Sequence, residues 1–222
     1  MFTPRLDRRL IRHHLPLSLA SLICAIALYV TRPYPDVISR LSFATAYPAL
    51  VLLAATLAIG PVKYLAGERL AVSLDLRRDV GIWAGILGLL HTGVGQCVHL
   101  RGRPWLYYIY DATREKHVFP IRHDMFGFAN FTGLAAALIL LALLATSNDA
   151  SLRKLGTPGW KQLQRWNYYC FGLTALHTFA YQRGVESQNW PFLATAVAPV
   201  AIVLVLQFLG WRRRGDLALK PS

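Results

Sequence analysis

The chain has 222 residues, of which 55% are hydrophobic and only 16% are charged, with a mean hydropathy of +0.36 and a net charge of +13. A soluble domain of this length does not need so much apolar sequence. The sequence holds no nucleic-acid recognition motif that would explain its positive charge. The composition therefore predicts a polytopic membrane protein of the all-α class, and it argues against nucleic acid as a partner.

Six stretches without Asp, Glu, Lys or Arg follow one another along the chain. Each is long enough for a helix of about 20 residues, which crosses a hydrocarbon core of roughly 30 Å. The predicted spans are residues 15–31, 41–62, 80–100, 125–148, 166–182 and 190–210. They form one six-helix bundle over residues 15–211, flanked by short segments at 1–14 and 212–222. Arg32, Pro33 and Pro35 after the first span favour a retained helix over a cleaved signal peptide.

The distribution of basic residues predicts the orientation of these helices. Sorting the 24 Lys and Arg by loop puts 16 on the side of the amino terminus and 8 on the opposite side. Because loops rich in Lys and Arg stay in the cytoplasm, both termini are expected to be cytoplasmic. The surplus charge is then a topology signal, and anionic lipid is its expected partner.

Two histidines lie inside predicted spans. His91 is 12 residues beyond Asp79, and His177 is 12 residues beyond Arg165, so the two imidazoles are expected at the same depth, in the outer half of parallel helices. A titratable ring in hydrocarbon is unfavourable unless it is paired or coordinated. Two neutral imidazoles that face each other supply the two axial nitrogens of a low-spin haem. His91 and His177 are therefore the predicted iron ligands.

Small residues share a face of the third span with its histidine. Gly88 and Gly95 lie one turn to either side of His91 and could leave room for a flat macrocycle. Small residues in membrane helices also serve close helix packing. Both interpretations stay open, and haem contact is preferred because the stripe contains the histidine.

The motifs around these histidines resemble a known family. They are LRRDVG at residues 76–81, LH at 90–91, TSN at 146–148, RKLG at 153–156, WKQL at 160–163 and LH at 176–177. They are similar to the ferric-reductase-like transmembrane domain, and within it to the haem-binding membrane subunits of bacterial periplasmic methionine sulfoxide reductases. The resemblance implies a six-helix bundle in the bacterial inner membrane that carries haem b and moves electrons across the membrane.

The resemblance also implies a second, inner ligand layer that this sequence lacks. Many family members have two further histidines about 13 residues inward, where this chain has Arg78 and Gln164. Neither is an ordinary haem ligand, so one haem is expected. Arg78 and Gln164 are then either anchors at the headgroup level, the preferred interpretation, or a site for the phosphate of a flavin (FMN) or the head of a quinone.

Polar residues near the predicted outer loop complete the candidates. His99, His117 and His123 are interpreted as solvated or interface-level histidines, and Arg101, Arg103, Arg122 and Arg183 as candidate partners of haem propionates. The predicted function is electron transfer from a quinol or a flavin reductase on the inner side to a separate outer acceptor, such as a periplasmic reductase. The alternative is a non-redox transporter or scaffold in which the intramembrane histidines hydrogen-bond or bind a transition metal.

Overall fold

The computed structural model describes residues 4–31, 34–67, 74–100, 102–113, 117–186 and 190–218. Within them lie eight α-helices: α1 Pro4–Arg9, α2 Leu15–Thr31, α3 Val37–Ala66, α4 Leu74–Gly95, α5 Met125–Ala145, α6 Asp149–Gln164, α7 Trp166–Phe179 and α8 Trp190–Ala218. Two π-helical segments, Leu10–His14 and Ala180–Val185, join α1 to α2 and extend α7. Several residues used above lie outside the described residues: Arg32, Pro33, Arg69, Arg101, Arg114, Lys116 and Lys220.

Four of the described helical segments are long and apolar enough to cross a membrane: Asp7–Thr31, Val37–Ala66, Met125–Ala145 and Leu193–Arg214. They coincide with the first, second, fourth and sixth predicted spans, so a helical membrane protein is confirmed. The count of six spans is not confirmed. Helix α4 begins with a charged turn that includes Arg77, Arg78 and Asp79, and α7 has only 14 residues before its π-helical extension. These are the two helices that carry the intramembrane histidines.

Helix α3 is the centre of the bundle. It packs against α2, α4, α7 and α8, while α5 packs against α4 and α7. Apolar side chains from these helices form one buried cluster, with Leu50, Leu53 and Leu57 from α3 meeting Ala84, Ala136, Cys170, Phe171 and Val203. Small residues such as Ala84 and Ala136 let the helices approach closely, as membrane bundles require. The cluster forms the apolar base on which the candidate site rests.

The two ends of the bundle differ in their connections, and we name them by the predicted orientation. The outer face carries residues 102–113 and 117–124, where an isolated antiparallel bridge joins Ile109 to Ile121. At its edge Asp124 caps α5 by accepting a hydrogen bond from the Gly127 N–H (2.7 Å). Burial opposes ionisation of Asp124, but its bonds to Arg122 and Gly127 hold the pKa of this carboxyl below its usual range.

The inner face carries α6, a helix that the sequence analysis did not predict. Asn148 caps its first turn, and the helix bends at Gly156, whose φ of 65° favours glycine. On the same face the Asp79 side chain is fully buried and meets Arg9, His13 (2.7 Å) and His14 (3.2 Å). The amino-terminal segment is thereby attached to the start of α4.

Candidate haem site

The structure brings together the two histidines that were predicted to lie inside membrane spans. The ring centroids of His91 on α4 and His177 on α7 are 6.1 Å apart, with the ring planes inclined by 67°. A metal atom bonded to imidazole nitrogens at about 2 Å on either side fits between rings at this separation. The two side chains can therefore hold one metal centre between α4 and α7.

A backbone carbonyl sets the orientation of each imidazole. Nδ1 of His91 donates to the carbonyl oxygen of Ser42 on α3 (2.9 Å), and Nδ1 of His177 donates to the carbonyl oxygen of Ala129 on α5 (2.7 Å). Since a carbonyl only accepts, Nδ1 carries the hydrogen in both rings and Nε2 keeps its lone pair. This is the usual arrangement of metal-binding histidines, in which the second nitrogen is fixed by an outer partner. Four helices thus contribute to the pair.

A glycine on α5 makes room for His177. A Cβ atom built on Gly133 would lie 2.6 Å from Nδ1 and 2.8 Å from Cε1 of that ring. Gly133 is one turn beyond Ala129, so its missing side chain is what lets the imidazole reach the Ala129 carbonyl. The sequence analysis did not find Gly133, because nothing in the local pattern of α5 indicates which helix would pack on it.

A cavity lies between α3, α4, α5 and α7, and both histidines line it. Its inner part is apolar, lined by residues that include Leu50, Leu53, Ala84, Ala137 and Leu140. Its outer mouth is polar, lined by residues that include Tyr34, Gln96, His99, Gln182 and Glu186. A cavity of this kind fits an amphipathic ligand with an apolar body and a polar end. The neutral nitrogen donors and this polarity together fit haem.

The predicted glycines divide between the two roles left open above. Gly88 lines the cavity, but a Cβ there would lie 2.5 Å from Cδ2 of Leu140, so the residue also serves packing of α4 against α5. Gly95 lines the cavity and faces His91, whose Cε1 would be 4.0 Å from an added Cβ. The close-packing role is clearest at Gly85, which faces Leu144 of α5.

Arg78 and Gln164 lie away from this cavity, toward the inner face. Arg78 donates to the carbonyl of Ser147 (3.0 Å) and to the carboxylate of Asp149 (2.6 Å), which ties α4 to the start of α6. Gln164 is partly buried, and its Nε2 has no hydrogen-bond partner among the described residues. The structure does not bring these two side chains into the histidine site.

The three outer histidines occupy different surroundings. His117 stacks on Tyr110 with ring centroids 3.6 Å apart, and His123 meets the edge of the same ring. His99 instead lines the mouth of the cavity, which its interpretation as a solvated or interface-level histidine did not anticipate. Within the described parts of the chain, no group of three or more His, Cys, Asp or Glu side chains is arranged to hold a metal ion.

The arginines proposed for propionates have other partners or lie off the cavity. Arg103 pairs with Asp111 (3.3 Å) and Arg122 with Asp124 (2.8 Å). Arg183 is exposed on the π-helical segment, and Arg101 lies outside the described residues. Among the described residues, no arginine or lysine lines the cavity.

Comparison with curated proteins identifies relatives over most of the chain. The chain is 32% identical over 168 residues to the protein-methionine-sulfoxide reductase heme-binding subunit MsrQ of Bordetella pertussis, covering 75% of this chain and 72% of the relative. It is 31% identical over 166 residues to MsrQ of Deinococcus radiodurans, covering 74% and 69%. The chain belongs to the MsrQ family. A further MsrQ, from Ralstonia nicotianae, is 28% identical over 171 residues, covering 76% and 71%.

No family model matches the chain. Membership of the MsrQ family nevertheless confirms the resemblance that the motifs around His91 and His177 indicated. The names of the MsrQ relatives describe them as haem-binding subunits of a reductase that acts on methionine sulfoxide in proteins.

Proposed function

We propose that this protein is a haem b-binding electron-transfer subunit of the bacterial inner membrane, with His91 and His177 as the two axial ligands. The observation that carries the proposal is the pair of facing imidazoles, each with Nδ1 bonded to a carbonyl of a neighbouring helix. When bound, haem supplies a one-electron centre, and ligation by two histidines leaves no open position for a substrate. The protein holds the rings at their spacing and surrounds them with apolar side chains.

The proposal includes a direction. Electrons enter on the inner side from a quinol or a flavin reductase and leave to a separate acceptor at the outer face. The names of the relatives support a reductase of protein methionine sulfoxide as that acceptor. The placement of the cavity mouth beside the outer loop supports an exit on that side, given the orientation predicted from the basic residues.

The inner half is proposed to work without a second haem. Thirteen residues of helix correspond to roughly 20 Å, so an inner donor must come close to the bundle. Arg78 and Gln164 mark the region where a flavin or quinone head would be received. The buried and unpartnered Nε2 of Gln164 supports this assignment, because a carbonyl or phosphate oxygen would satisfy it.

The reduced-minus-oxidised absorbance spectrum of the purified protein tests the proposal. We expect the spectrum of a low-spin haem b, and we expect His91→Ala and His177→Ala each to abolish it, since one imidazole cannot complete six-coordinate iron. His117→Ala is the matched control, because His117 stacks on Tyr110 outside the cavity. An unchanged low-spin spectrum in both ligand variants would refute the site. A wild-type protein that takes up no haem would favour the transporter or scaffold alternative.

A further inference from the structure

The polar mouth of the cavity indicates where the carboxylates of a bound haem would lie. A haem bound between His91 and His177 has an apolar ring system and two propionates, and the cavity is apolar at its inner end and polar at its outer mouth. The propionates therefore point to the mouth. A carboxylate near hydrocarbon needs a cationic or donor side chain to be stable there.

We propose that His99 is the principal propionate-binding residue of this protein, which rests on the proposed function. Apart from the two candidate ligands, His99 is the one described side chain on the cavity wall that can carry a positive charge. Its ring nitrogens make no hydrogen bond to any described residue, so they are free to donate. The arginines predicted for this role, Arg103 and Arg122, are paired with acidic side chains away from the cavity.

Tyr107 and neighbouring aromatic rings fix His99 at the mouth. The Tyr107 side chain is fully buried, and its hydroxyl accepts from the His99 N–H (2.8 Å) and donates to the Gly95 carbonyl (3.2 Å). The His99 ring stacks on Tyr181, with centroids 5.9 Å apart, and meets the edge of Phe126 at 5.6 Å. Tyr181 in turn lies 5.2 Å from the His177 ring. His99 is thus held one ring away from a candidate iron ligand.

Other groups at the mouth complete the subsite. Gln182 is buried, and its NH₂ group donates to the Tyr47 hydroxyl (2.6 Å) while its Oε1 has no partner among the described residues. With the amide turned by about 180°, the Tyr47 hydroxyl would donate to Oε1 and the NH₂ group would face a second carboxylate oxygen. Glu186 is the acidic side chain on the same wall, and it accepts a hydrogen bond from Tyr34 (3.1 Å). Because Glu186 and the propionates are both negative, a donor such as the His99 ring is needed at the mouth.

Comparison of haem with its dimethyl ester tests the proposal, because the ester has the same ring system and no carboxylate. The full-length protein, produced without haem, is reconstituted with each compound in detergent, and the rate of transfer to excess apomyoglobin is measured. In wild-type protein we expect the ester to leave about 10- to 100-fold faster than haem, the size of a charged hydrogen bond. In His99→Ala we expect the ratio to fall to less than about 5-fold, the preference that the neutral donor Gln182 can supply, and in His99→Lys the preference for haem is restored.

The controls separate this inference from the proposed function. His123→Ala removes an exposed outer histidine that does not line the cavity, and it keeps the wild-type preference. Arg103→Ala and Arg122→Ala keep it as well. Two outcomes contradict the role of His99 while low-spin haem is retained: a wild-type preference for haem in His99→Ala, or loss of that preference in either arginine variant. Both outcomes leave the assignment of the iron ligands intact. Failure of the wild-type protein to bind haem contradicts both.

Discussion

A methyl group added at position 133 tests whether the carbonyl that orients His177 matters for the site. In Gly133→Ala the new Cβ would lie 2.6 Å from Nδ1, 2.8 Å from Cε1 and 3.2 Å from Cγ of the imidazole. Contacts below 3.0 Å are too short to persist, so the ring must move. Its movement stretches the 2.7 Å bond from Nδ1 to the Ala129 carbonyl and changes the position of the ring relative to His91.

The expected loss of haem affinity follows from the role of the bond between Nδ1 of His177 and the Ala129 carbonyl. Removing the outer partner of a metal-binding histidine weakens metal binding by about 10- to 100-fold, or about 1.4 to 2.7 kcal/mol. We therefore expect Gly133→Ala to bind haem about 10- to 100-fold more weakly, with part of the bound haem shifted from the low-spin to the high-spin spectrum. Haem titration followed by absorbance measures both effects in one experiment.

Two matched glycines give the control. Gly93 on α4 and Gly172 on α7 have no neighbouring atom within 4 Å of an added Cβ, so each can take alanine without displacing a histidine. Gly88→Ala is an intermediate case, since its Cβ meets only the flexible end of Leu140. Unchanged haem affinity and spin state in Gly133→Ala, with all variants folded, would show that the contact between α5 and His177 does not control the site.

Two further predictions concern the inner half of the bundle. Among the described residues, Arg9→Ala leaves the buried Asp79 carboxylate with His13 and His14 as partners, and it should lower stability in detergent by up to about 3 kcal/mol in thermal unfolding, whereas the exposed Arg8→Ala should have little effect. Pyridine haemochrome and protein assays should give one haem per chain, because Arg78 and Gln164 occupy the positions of the inner ligand pair; a ratio of two would refute that count.

The positions of the helices were largely predictable from the sequence, because the charge-free stretches correspond to helices throughout. The ends were less predictable. Helix α3 covers Val37–Ala66 and is longer at both ends than the predicted span 41–62. It begins early because Asp36 caps it before the apolar stretch starts. Helix α4 ends at Gly95, short of the predicted residue 100. Helix α6 was missed because the sequence analysis searched for apolar spans, and this helix is polar.

The sequence predicted those features of the site that depend on one helix at a time, such as the depth of each histidine. Counting from Asp79 and from Arg165 placed His91 and His177 at one depth, and the structure brings the rings to 6.1 Å. The roles of Ser42, Ala129 and Gly133 depend on which helix packs against which, and no local pattern reports that. His99 was interpreted as a solvated or interface-level histidine for the same reason, since its position beside the loop does not reveal that it lines the cavity.

The two ends of the bundle differ in what they carry. The histidine pair, the cavity and its polar mouth all lie toward the outer loop, whereas the inner end is tied by Arg9 to Asp79 and by Arg78 to Asp149. A single haem near one face can exchange electrons quickly only with a partner on that face. Under the proposed function, the slower step is then expected to be entry from the inner side, where about 20 Å of helix α4 separates Arg78 from His91. If the proposed function holds, we expect the inner donor, and not the haem site, to determine the rate of electron delivery to the outer acceptor.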